Sequence, residues 1–135
     1  MSETLDIAPA TGPRVWRGAE MAARRDWILE LDDTDRAEID RATERARADG
    51  LTLDDVTSDT FPLDRVAEKL AGLPDALGRG RGFVLIRGAP VAGKNIDDLG
   101  LMYWGLGAHL GIGVSQSAEG DRLGHVLDRG TGETE

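Results

Sequence analysis

The chain has 135 residues, about the length of one domain, and 40% of them are hydrophobic, which excludes a fully disordered protein. Its formal charge of -9 disfavours nucleic acid and anionic membranes as partners, because both would repel such a surface. The absence of cysteine excludes disulfides and thiolate chemistry. The sequence contains no recognisable signal peptide and no apolar run of about 20 residues, so we expect a cytoplasmic protein.

The first 30 residues are interpreted as a tail and entry segment, in which residues 1–14 are expected to be disordered or loosely docked. Trp16 and Trp27 follow, and large aromatic side chains more often pack than bind ligands. The stretch 26–59 holds twelve acidic and four basic residues, and therefore carries most of the net charge. Because it lacks the spacing of a calcium-binding loop, we interpret this stretch as a solvated face.

A first helix is predicted over residues 34–48. Asp32 or Asp33 can cap its N-terminus, and Gly50 stands at a position suited to its C-terminal end. The apolar stripe of this helix is narrow and consists mainly of small residues, namely Ile39, Ala42, Thr43 and Ala46. Such a stripe predicts a helix on the outside of a larger layer.

A second helix is predicted from residues 61–62, with apolar residues at spacings of three and four as far as Leu77. Pro74 should bend or shorten it, and glycines follow at 78–82. Residues 83–86 form a continuous apolar run, which is typical of a strand covered on both faces. A helix that leads into a buried strand indicates a mixed α+β layer.

A third helix is predicted to begin at the cap residue Asn95 and to be closed by Gly111. Gly105 and Gly107 within it lower the helix propensity and indicate close approach of another backbone. Residues 123–127 are predicted to form a second strand.

A phosphate-binding loop is the most tempting local motif. Residues 88–95 begin with Gly88, end with Lys94 and Asn95, and lie between a predicted strand and a predicted helix, nearly matching the P-loop pattern. Asn95 offers no hydroxyl for magnesium, however, and Pro90 lacks the N–H that such a loop directs at phosphate. A small nucleotide-binding protein therefore remains an alternative function, with Asp128 as the acidic partner of magnesium.

The other chemically interesting side chains each have a plain structural interpretation. His109 and His125 are the only histidines, and His125 would not converge with Asp128 on a strand because positions i and i+3 point to opposite faces. Hydrogen-bonded histidines in or beside the core are therefore favoured over a metal site. Arg79 and Arg81 are interpreted as solvated rather than anion-binding.

Three segments taken in order resemble the N-terminal part of the TauD/TfdA-type dioxygenases, in the branch similar to clavaminate synthase: residues 80–88, 103–111 and 114–126. The resemblance covers about residues 31–130 and implies a double-stranded β-helix, or jelly roll, of which this chain would hold only an N-terminal helix and strand layer. It also implies Fe(II), 2-oxoglutarate and the oxidation of a small-molecule substrate. Residues 31–135 would then form a partial oxygenase domain.

The family's metal and cosubstrate residues have no counterpart in this sequence. The family binds iron with a His-x-Asp/Glu pair and a distant second histidine, whereas His125 is followed by Val126 and Leu127. Only Ser115 and Gln116 carry over, as weak candidates for residues that border the substrate. We therefore assign no catalytic, cofactor or metal residues, and we expect the chain alone to bind neither iron nor 2-oxoglutarate.

Two explanations of the missing ligands stay open at the level of the sequence. The chain is either a truncated oxygenase that stops before the metal motif, with a missing C-terminal half, or a short paralogue that retains the N-terminal layer for pairing or regulation. A non-catalytic interaction module, including a homo-oligomer, is the further alternative.

Overall fold

The structure is a computed structural model, and it describes residues 7–128 and 130. Within them the chain forms helix α1 (Gly18–Ala22), strand β1 (Ile28–Glu30), helix α2 (Asp33–Ala48) and a 3-10 turn (Leu53–Asp55). Helices α3 (Arg65–Leu70) and α4 (Leu73–Gly78), strand β2 (Leu85–Arg87) and helix α5 (Ile96–Ala108) follow. This is mainly helical structure around one small sheet.

The sheet pairs the strand that precedes α2 with the strand that follows α4. Strands β1 and β2 are parallel, with Leu29 opposite Ile86, and the amide of Leu31 extends the pairing by donating to Arg87 over 2.9 Å. Parallel strands need a long crossover, and α2 to α4 provide it here. Strand β1 lies in the segment that the sequence assigned to tail and entry, and its pattern had not indicated a strand.

Helix α2 confirms the first predicted helix. Asp32 is its N-cap and accepts the amide of Asp35 at 2.9 Å, and Gly50 takes the left-handed backbone conformation expected after the C-terminus. The four residues of the predicted apolar stripe are all buried. Helix α2 packs on α5 and α3, so it covers the core from outside.

The second predicted helix is wrong in its start, whereas the interruption expected from Pro74 is confirmed. It begins at Arg65 because the Glu38 carboxylate of α2 accepts the amides of Asp64 and Val66, which fixes the first turn there. It ends at Leu70, four residues before Pro74. In a continuous helix the proline ring would clash with the carbonyl group of Leu70, and proline has no N–H to donate to it. Pro74 instead occupies the first turn of α4.

The strand predictions need two corrections. Strand β2 exists, but it is not covered on both faces: within the described residues β1 is its one partner, and Leu85 is 41% exposed. Residues 123–127 form no strand, and Val126 is fully exposed. An apolar run records the tendency of these residues to be covered, and within the described part of the chain the cover is partial: Ile86 packs on the core, whereas Leu85 and Val126 are exposed.

Helix α5 confirms the third predicted helix and its cap, because Asn95 accepts the amide of Asp98 at 2.8 Å, but it ends at Ala108 and not at Gly111. Gly105 is a point of close approach, as predicted, although an aromatic ring rather than a backbone approaches it. A Cβ atom at Gly105 would lie 2.5 Å from the ring of Phe61. That ring is fully buried, so α5 is seated on the core through this glycine.

The two early tryptophans form a separate packing cluster around Phe83. The ring centroids of Trp16 and Trp27 lie 4.8 and 5.7 Å from that of Phe83, and the Trp27 indole donates to the carbonyl of Met21 over 2.9 Å. This confirms the packing interpretation. No helix within residues 7–128 and 130 is long and apolar enough to cross a membrane.

Candidate functional site

A wide apolar cleft of about 1230 Å³ lies in the described part of the chain. One wall is the outward side of α5, with Met102, Tyr103 and Leu106, and the floor includes Ile86 of β2. The rest of the lining comes from residues 54–58, which begin in the 3-10 turn, and from the extended chain that follows α5. Ligand sites are commonly of this kind, mostly apolar with a few polar groups.

The polar groups of the cleft come from the chain after α5 and from residues 54–58, which also contribute Thr57 and Ser58. Gln116, Arg122 and His125 line it there, and Asp54 lines it from the 3-10 turn. Arg122 reaches Asp54 with an N–O separation of 3.0 Å. Sequence patterns did not single out Arg122 or Asp54, since a pair 68 positions apart in the chain has no local signature.

The two weak candidates for substrate-lining residues lie in different settings. Gln116 lines the cleft, and its side-chain amide donates to the carbonyl of Val114 over 3.2 Å. The hydroxyl of Ser115 donates to the carbonyl of Ser117 over 2.9 Å and so stabilises a local turn. Substrate contact by Ser115 and Gln116 stays a prediction.

The histidines do not form a metal site with each other in the described part of the chain. His109 Nε2 lies 2.8 Å from the carbonyl oxygen of Phe61, which confirms the interpretation of a histidine bonded beside the core. His125 lines the cleft, and Asp128 accepts the amide of Gly130 at 2.8 Å. Among residues 7–128 and 130, no three His, Asp or Glu side chains are grouped as iron would require. The described residues therefore do not fit the iron that the resemblance implies.

The loop at 88–95 uses its P-loop-like residues to join elements. The Lys94 ammonium pairs with the Asp40 carboxylate of α2, and Asn95 caps α5. The amide of Val91 donates to the carbonyl of Ala89 over 2.9 Å, so it is not available to a phosphate. Gly88 has a positive φ of 89° and lies against the carbonyl of Leu31, where a side chain would collide. This geometry favours a structural role for the loop.

We expect calorimetry with Mg·ATP to give no saturable heat, because Lys94 is neutralised by Asp40 and the loop amides are partly engaged. The native chain and the Lys94→Ala variant should behave alike. Saturable binding to the native chain that Lys94→Ala abolishes would restore the nucleotide-binding alternative.

The interpretation of Arg79 and Arg81 as solvated is wrong for Arg81. Arg81 is only 15% exposed, and it donates to the carbonyl groups of Phe83 at 3.0 Å and Asp26 at 2.8 Å. Arg79 does remain at the surface, paired with Asp75. The glycines around Arg81 let the backbone turn so that the side chain can link two loops. Residue type alone does not reveal this link.

The acidic stretch 26–59 is likewise not wholly solvated, because Asp35 is completely buried. Its carboxylate accepts a hydrogen bond from the Lys69 ammonium and lies 3.2 Å from Nε of Arg65. Burial by itself raises the pKa of Asp35, but the bonds from Lys69 and from the Asp32 amide, with the charges of Lys69 and Arg65, together lower it. This cluster fixes α3 against the start of α2.

Fold and cleft together define the class, which is an α+β layer with a wide apolar cleft. In its described part, no three His, Asp or Glu side chains lie close enough together to hold a metal ion. No protein-family model matches the chain. It is 35% identical over 124 residues to FR-33289 synthase of Streptomyces rubellomurinus, which is 92% of this chain and 37% of that protein. It is 26% identical over 119 residues to taurine hydroxylase-like protein SAT17 of Stachybotrys chartarum, 86% of this chain and 30% of that protein.

These similarities support the resemblance to the TauD-type family, because they extend over most of the chain and one relative is named taurine hydroxylase-like. The chain spans about a third of the length of the curated relatives it matches.

Proposed function

We propose that this chain is the N-terminal part of an Fe(II)- and 2-oxoglutarate-dependent dioxygenase that oxidises a small molecule, and that it is inactive alone. The observation that carries the proposal is the 35% identity over 92% of the chain to FR-33289 synthase. The taurine hydroxylase-like relative supports the reaction class. Fe(II) and 2-oxoglutarate would be held by residues that the rest of a jelly roll supplies.

The geometry of the cleft gives this chain a share in substrate binding under the proposal. It is lined by the side chains of α5 and by Gln116, and it is wide enough for a small organic molecule. The apolar wall, including Met102 and Leu106, would exclude water from the substrate, and the polar groups would orient it. The chain would thus supply one wall of the site and no part of the metal centre.

Two measurements test this function. With Fe(II), ascorbate and 2-oxoglutarate, the purified 135-residue chain should form no succinate, because its described residues hold no suitable group of metal ligands. Succinate formation by the chain alone would contradict its proposed inactivity.

The coding DNA downstream of the Glu135 codon provides the second measurement. A His-x-Asp or His-x-Glu in the same or a shifted frame is the expected result, and turnover by the extended chain should follow. Downstream DNA without this motif would instead favour the short paralogue.

A further inference from the structure

Residues 111–127, here called the strap, leave the C-terminal end of α5 and return across the cleft without forming a helix or a strand. Both halves of the strap line the cleft, the first half with Gln116 among others and the second half with five residues: Arg122, Leu123, Gly124, His125 and Val126. The position of the strap therefore decides how open the cleft is.

The strap has an internally bonded turn at its centre. The amide of Gln116 donates to the carbonyl of Asp121 over 2.6 Å, and the hydroxyl of Ser117 donates to the Asp121 carboxylate over 3.0 Å. Ser115 adds its hydrogen bond to the carbonyl of Ser117. Because these bonds lie within the strap, the turn keeps its shape whether or not the strap touches the rest of the protein.

Beyond the backbone hydrogen bond at its start, from the amide of Gly111 to the carbonyl of Gly107, one polar contact links the strap to the body among residues 7–128 and 130: the ion pair between Arg122 and Asp54. Its N–O distance is 3.0 Å, and the two side chains are 46% and 74% exposed. Asp54 belongs to the 3-10 turn, which contacts α5 and lines the cleft, so the pair ties the strap to that turn. An exposed pair of this kind is weak and is screened by salt.

The apolar contacts of the strap are made with α5. The indole of Trp104 lies directly against Gly113, where no side chain would fit, and Leu123 lies close to Gly100 of α5. Trp104 is half-buried in this arrangement. The indole would therefore become more exposed to solvent if the strap moved away.

We propose that Arg122 and Asp54 form a latch that favours the strap in its position over the cleft, so that breaking their ion pair raises the population in which the cleft is open and Trp104 is exposed. The latch belongs to the cleft of this chain and does not depend on oxygenase activity. Its weakness suits it to regulation, because a change in the charge around either partner is sufficient to shift the balance between closed and open forms.

The test uses the 135-residue chain labelled with 5-fluorotryptophan, whose three fluorine resonances are assigned with a Trp104→Phe variant. A soluble nitroxide reports the exposure of each indole by paramagnetic relaxation. Arg122→Gln and Asp54→Asn should each increase the open population by about two- to fivefold, and the relaxation of Trp104 should rise accordingly. The charge-swapped variant with Arg122→Asp and Asp54→Arg should restore the native value.

Arg79→Gln is the matched control, because Arg79 forms an exposed ion pair with Asp75 far along the chain from the strap. It should leave Trp104 unchanged. Trp16 and Trp27, packed on Phe83, serve as internal controls and should stay constant in every variant. Unchanged exposure of Trp104 in both single variants would overturn the latch.

Salt provides a second readout on the unmodified chain, and it keeps the proposal testable if a variant fails to fold. Raising sodium chloride from about 0.05 to about 1 M should screen the pair and expose Trp104 alone. An equal response of all three tryptophans, or no response of Trp104, would count against the latch.

Discussion

Replacement of Phe61 by alanine is expected to lower the free energy of unfolding by about 3–5 kcal/mol, the largest loss that we expect from a single truncation in this chain. Phe61 is fully buried, together with Ile39, Val66 and Leu70. Its ring fills the space that the missing side chain of Gly105 leaves on α5. Truncation would therefore leave a cavity between α5 and the other helices that neither side can easily fill.

Urea unfolding followed by far-ultraviolet circular dichroism measures this loss. Phe61→Leu should lose clearly less than Phe61→Ala, which keeps the result measurable if the alanine variant is unfolded in water. Leu77→Ala is the control, because Leu77 is 37% exposed and its truncation should cost less than about 1 kcal/mol. A loss at Phe61 no larger than that at Leu77 would mean that α5 is not seated on the core as described.

The contact with Gly105 can be measured separately by a double-mutant cycle. Gly105→Ala places a Cβ atom 2.5 Å from the Phe61 ring, so the ring must shift and stability should fall. In the Phe61→Leu background the same change should cost less, because the ring is gone. Equal costs in both backgrounds would show that the two residues do not interact.

Local signals in the sequence were sufficient for the helices whose ends are determined locally. The cap residues Asp32 and Asn95 bond to amides three positions later, and Gly50 takes the conformation that the end of α2 requires. These features depend on a few consecutive residues, which is why the pattern predicted α2 and α5 well. The burial of the α2 stripe follows from the same periodicity.

Features determined by distant residues could not be predicted in this way. Helix α3 begins at Arg65 because of Glu38, and the surroundings of Arg81 include a backbone carbonyl 55 positions earlier. The apolar run at 83–86 predicted a covered strand, but the coverage of a strand depends on partners elsewhere in the chain. The same reasoning applies to the cleft, where the pairing of Arg122 with Asp54 depends on tertiary structure.

The burial of the Asp35 carboxylate is a further feature that composition did not indicate. Its removal is expected to have the second largest effect on the free energy of unfolding. Besides its contacts with Lys69 and Arg65, it accepts the amide of Asp32 at 2.9 Å and so completes the cap of α2. Asp35→Asn removes the negative charge and leaves two cations with a weaker partner. We expect a loss of about 2 kcal/mol in the free energy of unfolding, below the range for fully buried pairs because Lys69 and Arg65 are 28% and 48% exposed.

Asp33→Asn is the matched control for this change. Asp33 lies on the same turn of α2, but its side chain is 98% exposed. Its replacement should therefore alter the free energy of unfolding by less than about 1 kcal/mol. Equal losses for the two variants would show that charge on this turn matters, whereas burial does not.

The pH dependence of the Asp35 effect follows from the direction of its pKa shift. The pKa of Asp35 is lowered from its ordinary value of 3.8, so the unfolded chain takes up a proton at this site before the folded chain does. The carboxylate therefore stabilises the fold fully above about pH 4, and this contribution is lost as the pH falls through the lowered pKa. Urea titrations of the native chain and Asp35→Asn should differ most near neutral pH and converge on acidification. A difference that stays constant down to acid pH would mean that the ionised carboxylate is not what stabilises the junction of α2 and α3.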